Sequence, residues 1–436
     1  MTTKITVEEV NRYLTDLFPL NRSITGPDNR RTLNILQNLA PLEIIEYPSG
    51  LSVYDWILPE EWEVHEAWIK DADGDVLVDF RWSNLHLVSY SEPIDKQLTF
   101  DELKPHLHQH ENLSDAIPYR TSYYKRDWGF CVTQKQYQKI QKAKNPLQVV
   151  IDSKFDPNGS MVVGELLIPG ESEEEILIST YFCHPSLAND NLTGTVMTAF
   201  LARELLNTSK RQRSYRIIWV PETIGAIAYC ASNESAMKKI KSGLVVTSVG
   251  GPGKFGYKQS HNSDHSINAI IEETFSERKI DYISYPFDIH GSDERQYSSQ
   301  GFRINMASIT KDKYYEYPYY HSSLDNLDFV KPESIIESLS LHKDVLEKIN
   351  TEVIYQTRHR ECEVMLSKHD LYPKTGAAQI PTQNHLSDLD LTLWILWLCD
   401  GQLGLYGIAK KLGVPLERIT KIIGTLESRQ LIERIS

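Results

Sequence analysis

The chain is poor in cysteine, has no long apolar run and shows no excess of positive charge. Its five cysteines (131, 183, 230, 362 and 399) are scattered over 436 residues, which fits reduced thiols rather than a disulfide framework. No stretch reaches the ~18 apolar residues of a membrane-spanning helix. The opening "MTTKITVEEVNRYL" carries no apolar signal core. A cytoplasmic protein with no membrane partner is therefore expected. The net charge of −13, from 46 Lys and Arg against 59 Asp and Glu, argues against non-specific attachment of the whole chain to nucleic acid or acidic lipid. Internal repeats and low-complexity tracts are also missing. The stretch "VGGPGKFGYKQS" lacks the G-x-x-x-x-G-K-[ST] spacing of a phosphate loop, and reads as a flexible turn lining the site.

What is present is the composition of an ordinary globular protein, 41% apolar and 24% charged, with room for two or three domains. Residues 5–40 read as helical. From Gly50 to about Trp128 short alternating runs dominate, such as "EVHEAWIKDADGDVLVDF" and "LHLVSYS", with many aromatics. This points to a β-rich module at 51–128 nested in a larger core made of 1–50 and 129–372. In the core, strand patterns such as "PLQVVIDSKF", "EEILIST" and "YRIIWVPET" alternate with helix patterns such as "TVMTAFLARELLNTS". That alternation predicts a three-layer α/β/α fold around a mixed sheet. Residues 373–386, with Pro373, Gly376 and Pro381, read as a linker. Residues 387–436 offer three short helices and a closing strand, the spacing of a winged helix-turn-helix.

In open α/β sheets, chemistry gathers in loops at the carboxyl ends of strands. His184 and Asp190 stand in one such loop, "YFCHPSLANDNLTG", and Glu222 in another, "RIIWVPETIG". His321 lies in the polar loop "YYHSSLDNLDFV". A zinc hydrolase needs three His, Asp or Glu ligands, an open position for water, and a carboxylate to take that water's proton. Taken singly, each of these residues has an ordinary structural role open to it.

Four segments taken together are more specific. "STYFCHPSLANDNLTG", "IIWVPETIGAIAY", "GSDERQYSSQGF" and "YHSSLDNLDFV" resemble the ordered motifs of the zinc aminopeptidase and carboxypeptidase superfamily. "NRSITG", "SNLHLVSYS", "LKPHLH" and "AIPYRTSYYKRDWGFC" extend the likeness to a bacterial aminopeptidase-like group often associated with surface-polysaccharide biosynthesis. Members of that group carry a nested β domain and a terminal winged helix. The resemblance implies that His184, Asp190 and His321 are zinc ligands and Glu222 the general base. Asp325 would then orient its loop or a ligand. Two-metal members have a second acid directly after the base and another at the end of the next strand, where this chain has Thr223 and Thr247 or Ser248. One zinc per chain is expected, with a second site absent or weak. Asp293 and Glu294 in "GSDE" become candidate anionic contacts for substrate, with His290 and Arg120 as further candidates. Cys183 reads as core filling, not a nucleophile.

The expected function is hydrolysis of a peptide or another C–N amide by an aminopeptidase-like site. Removal of the acyl group from an amino sugar or other small N-acyl metabolite is the near alternative. Arg120, Lys125 and Arg126 among the tyrosines of "YRTSYYKRDWGFC" suit a carboxylate-bearing or sugar substrate, or an interface between insert and core. The rival is a DNA-binding regulator whose hydrolase fold only senses a ligand. From Gly401 onward six Lys and Arg stand against three Glu, and the candidate recognition helix has the mixed face of Glu417, Arg418, Lys421 and Glu427. Affinity for DNA rests heavily on phosphate neutralisation, so packing or homodimer formation is the expected role of this unit.

Overall fold

A computed structural model describes residues 4–372 and 386–435. The expected linker at 373–386 therefore lies, apart from Leu386, outside the described residues. The chain forms two compact units, Met1–Lys258 with Asp281–Lys343, and Gln259–Ile280 with Asp344–Ser436.

The first unit is built on an eight-stranded mixed sheet. Its spatial order is Glu43–Pro48, Ser160–Ile168, Ser214–Val220, Glu175–Tyr181, Ser242–Val245, Asn305–Lys311, Phe255–Lys258, Tyr282–Tyr285. Glu175–Tyr181 runs parallel to both of its neighbours, and Ser242–Val245 parallel to Asn305–Lys311. These central strands are buried nearly from end to end, as parallel strands covered on both faces must be. Successive side chains serve opposite layers. The Trp219 indole N–H donates to the Thr195 carbonyl at 3.2 Å, in the helix Thr193–Leu206. Its neighbours Ile218 and Val220 share a core with Ile224 and Tyr229 of the helix Ile224–Ser232. The result is an α/β/α sandwich.

Three expectations of local structure need correcting. The stretch "VGGPGKFGYKQS" is not merely a flexible turn: Phe255–Lys258 is a fully buried strand, antiparallel to Asn305–Lys311. Asp312 fixes the turn that feeds it by accepting the Gly253 N–H at 2.7 Å. Leu147–Asp156, expected in the core, instead joins a four-stranded sheet with Val76–Asp79, Glu61–Lys70 and Ile94–Leu98. Its alternating burial is that of a sheet covered on one face, which separates it from the core strands. The β-rich module thus reaches beyond residue 128. "LHLVSYS" forms a 3₁₀ turn and isolated bridges rather than a strand.

The second unit is a winged helix. Its helices are Asp388–Leu398, Leu405–Leu412 and Leu416–Ser428. Ser387 and Asp390 close a capping box at the start of the first. Its three-stranded sheet takes the middle strand, Ile354–Thr357, from upstream of residue 387. The helix Ser266–Arg278 also belongs to this unit. The Gly404 N–H donates to Ser266 Oγ at 2.9 Å, and Lys410 pairs with Glu272 at 2.9 Å. Among the described residues no helix is long and apolar enough to cross a membrane.

One buried histidine makes the fold acid-sensitive. His342 is fully enclosed, Nδ1 bonds the Ser338 carbonyl at 2.7 Å, and burial pushes its pKa down to about 4. The unfolded chain takes up this proton below ~6.5 and the native state does not until near 4, so stability falls as pH drops through that window. The expected loss is up to about 3 kcal/mol. Denaturant melts between pH 7 and pH 4.5 should show a smaller loss for His342→Asn than for the unaltered chain.

Candidate metal centre

Glu175–Tyr181 ends at the face where the site lies, and the next residues carry the first imidazole into it. Arg22, itself buried, donates from Nη2 to the His184 carbonyl at 3.0 Å and from Nη1 to the Leu17 carbonyl. Further on, the helix Thr193–Leu206 begins so close to the sheet that a Cβ on Gly194 would lie 2.7 Å from the Val246 carbonyl. Only glycine fits there. Asp190 is thereby held just ahead of the helix and is 1% exposed.

His184, Asp190 and His321 come together, with one ligand atom from each lying within 4.8 Å of the others. Asp190 Oδ2 stands 3.0 Å from His321 Nε2 and 4.0 Å from His184 Nε2. Glu222 Oε2 lies 3.8 Å from His184 Nε2, and its side chain keeps 28% of its exposure. Asp190 Oδ2 and His321 Nε2 are both buried, and no hydrogen bond satisfies either. Tetrahedral zinc with bonds of ~2.0–2.1 Å sets its ligands roughly 3.3 Å apart and favours this N/O donor set. The residues fit such an ion.

Charge and burial match that fit. Burial pushes the His184 imidazolium down to about 4, leaving the neutral ring that ligates. Burial alone would raise the Asp190 carboxyl, but His184, His321 and the Tyr181 hydroxyl hold it below its ordinary range. Burial, and then the Asp190 charge, push Glu222 up to about 7. Thr223, next in the chain, has a φ of 66°, which is costly for a β-branched residue. Its N–H donates to Asp293 Oδ1 at 2.7 Å, and the helix Ile224–Ser232 starts directly after it.

One supporting residue was expected from the sequence and several were not. Asp325, expected to orient a loop or ligand, accepts the Asn189 and Asp190 N–H groups at 2.7 and 3.0 Å and the Tyr317 hydroxyl at 2.8 Å. It thus grips the backbone that carries Asp190. The Tyr181 hydroxyl donates to Asp190 Oδ1 and lies 2.7 Å from Thr247 Oγ1. Tyr119 of the nested module sits 5.2 Å, ring to ring, from both His184 and His321, and its N–H donates to the His321 carbonyl at 2.8 Å. Tyr320 stacks on His321 at 3.9 Å. The tyrosine-rich runs were the only signal, and they did not say which rings face the site.

The other candidates fare differently. Asp293 is fully buried beside Glu222, and burial followed by that neighbouring charge raises its carboxyl well above the usual range. Glu294 is also buried, but it is committed to Lys258 at 2.8 Å and to the Tyr314 hydroxyl at 3.2 Å, which makes it unsuited to substrate contact. His290 is exposed; its N–H donates to Asp288 Oδ1 at 2.9 Å and its carbonyl accepts from Lys258. Arg120 is exposed as well, and its charge acts on His108 and Cys131 rather than on the metal residues.

A family model described as "Domain of unknown function (DUF4910)" matches residues 11–352, and a winged helix-turn-helix model matches 353–434. The chain belongs to the DUF4910 family. A Clostridium acetobutylicum protein named "Putative polysaccharide biosynthesis protein with aminopeptidase-like domain" is 38% identical over 98% of this chain and 96% of its own. A crystal structure from the same organism, 37% identical, covers 98% of this chain and 96% of that one with a TM-score of 0.80. A zinc aminopeptidase from Bacillus subtilis, 11% identical, superposes with a TM-score of 0.59 over 80% of this chain and 96% of that one. At that identity it shows the fold alone, which is aminopeptidase-like.

Asp325 gives a test of how this DUF4910 site is held. Asp325→Ala strands two buried N–H groups and a tyrosine hydroxyl, and should cost on the order of 3 kcal/mol of stability. Zinc affinity should fall roughly 10- to 100-fold. Competition with a zinc-chelating dye, alongside thermal melts, measures both.

Proposed function

We propose that this protein is a zinc-dependent amide hydrolase of aminopeptidase type. His184, Asp190 and His321 would hold one zinc, and Glu222 would act as general base. The observation that carries the reading is the meeting of those three ligand atoms with a partly exposed carboxylate 3.8 Å from one of them.

Bound there, zinc would supply Lewis acidity, lowering the pKa of a water from about 15.7 towards ~7 and polarising a carbonyl. Glu222 takes the proton of the attacking water and returns it to the departing nitrogen. Its raised pKa suits both halves of that exchange, because a group near neutrality accepts and releases a proton with similar ease. Tyr119 and Tyr320 cover the imidazoles and limit bulk water around them.

A single zinc is supported by what surrounds Asp190. Its second oxygen already accepts the Tyr181 hydroxyl. Thr223 and Thr247 supply no carboxylate. Without a second metal, recognition of a free α-amine loses its usual support, and Glu294 is already committed to Lys258. These observations favour an N-acyl metabolite, such as an acylated amino sugar, over a peptide N-terminus. The polysaccharide biosynthesis in the Clostridium relative's name points the same way.

The winged helix serves packing rather than nucleic acid in this reading. Arg418 of its third helix is engaged by Asp388 at 3.0 Å and by the Leu386 carbonyl at 3.1 Å, which removes a cation from any phosphate contact. A salt-sensitive footprint on DNA, lost in Arg418→Ala/Lys421→Ala, would favour the regulator instead.

The purified chain should contain about one zinc, and Glu222→Gln should keep it while lowering amide turnover by roughly 10²- to 10⁴-fold. Metal analysis and a screen of aminoacyl and N-acyl compounds check both points. A chain that carries no zinc after gentle purification would sink the proposal.

A further inference from the structure

The nested module carries chemistry of its own beside the metal residues of the core. A cleft of about 580 Å³ is lined by five aromatic side chains, Trp56, Tyr90, Tyr123, Tyr124 and Phe155. Tyr124 is 53% exposed and meets Trp56 edge to face at 5.4 Å. The cleft is tied to the metal residues. Tyr123 bonds hydroxyl to hydroxyl with Tyr119 at 2.5 Å, and Tyr119 is the ring that lies against both His184 and His321.

Its charges cancel. Asp55 and Glu60 stand against Lys125 and Arg126 on the lining, Glu60 pairs with Arg126, and that guanidinium lies 3.6 Å over the Phe155 ring. A phosphate, a carboxylate or an ammonium would need an excess of opposite charge, and none is present. With Arg126 over Phe155 and Tyr90 buried, what the cleft offers is the corner of Trp56 and Tyr124, with hydrogen-bonding groups around it. That combination suits a ligand with one apolar C–H face and an edge of hydroxyls.

We propose that this cleft binds a neutral pyranose ring carried by the substrate, with Trp56 and Tyr124 as the stacking walls. Its rim groups exchange hydrogen bonds with the ring hydroxyls, and the Tyr123–Tyr119 pair leads from the ring towards the scissile amide. The inference rests on the hydrolase reading for the ring's place in the substrate, but binding itself is measured without turnover.

Saturation-transfer NMR on the full chain tests it, using methyl glycosides of neutral hexoses and N-acetylhexosamines, with phenylalaninamide as the comparison probe. The C–H protons of at least one glycoside should receive saturation, and Trp56→Ala and Tyr124→Ala should each weaken its binding about tenfold. Zinc content and the far-ultraviolet circular dichroism spectrum should not change. If no glycoside in the panel binds, or if phenylalaninamide binds with the same dependence on Trp56, the proposal is overturned. A chain that binds a glycoside but hydrolyses no amide overturns the hydrolase reading and leaves the cleft standing. A chain that hydrolyses amides but binds no glycoside overturns the cleft alone.

Discussion

A carboxylate buried between two imidazoles is the constraint around which the rest is arranged. An ionised Asp190 removed from water is costly unless partners replace its hydration. Here the Tyr181 hydroxyl takes one oxygen and the two histidine rings face the other. The peptide groups on either side cannot drift, because Asp325 holds the Asn189 and Asp190 N–H groups. At the site, Asp190 Oδ2 and His321 Nε2 are still left without a hydrogen bond, a deficit that a bound cation would relieve.

That arrangement explains why the nested module is no mere appendage. Its segment 117–119 runs along the His321 loop. Ile117 and Ser323 exchange hydrogen bonds at 2.9 Å, and Tyr119 holds the His321 carbonyl. His321 itself has a φ of 54°, a conformation that needs such outside support. Arg22 plays the matching part on the other imidazole, through the His184 carbonyl. The segments "NRSITG" and "AIPYRTSYYKRDWGFC", far apart in the chain, are therefore two clamps on one site.

Much of the fold was legible because local pattern and tertiary role agree. The central strands are apolar runs bounded by turns, and the helix after Asp190 follows a run of small and apolar residues that nothing interrupts. The readings failed where two architectures share a pattern. "PLQVVIDSKF" has the composition of a core strand, and only its alternation on the folded sheet assigns it to the nested module. Phe255–Lys258 is short and preceded by Gly-Pro-Gly, which reads as loop until Asp312 and the neighbouring strand are known. In the candidate site, His184, Asp190, Glu222 and His321 stood out because strand-end loops carry chemistry and their order matches a known set. Glu294 misled because an acid in a motif looks the same whether it faces a ligand or, as here, a buried lysine.

The sequence by itself determined which side chains can ligate or move a proton, and that the places of the second-site acids hold threonine or serine. Those are properties of residue type and order, and no folding changes them. Only the tertiary structure decided that the Tyr181 hydroxyl takes one oxygen of Asp190, that Tyr119 covers both imidazoles, and that Tyr123 links an aromatic cleft to Tyr119. Each of those depends on groups separated in the chain meeting within a few ångströms, and distance in space is not encoded in any one stretch of residues.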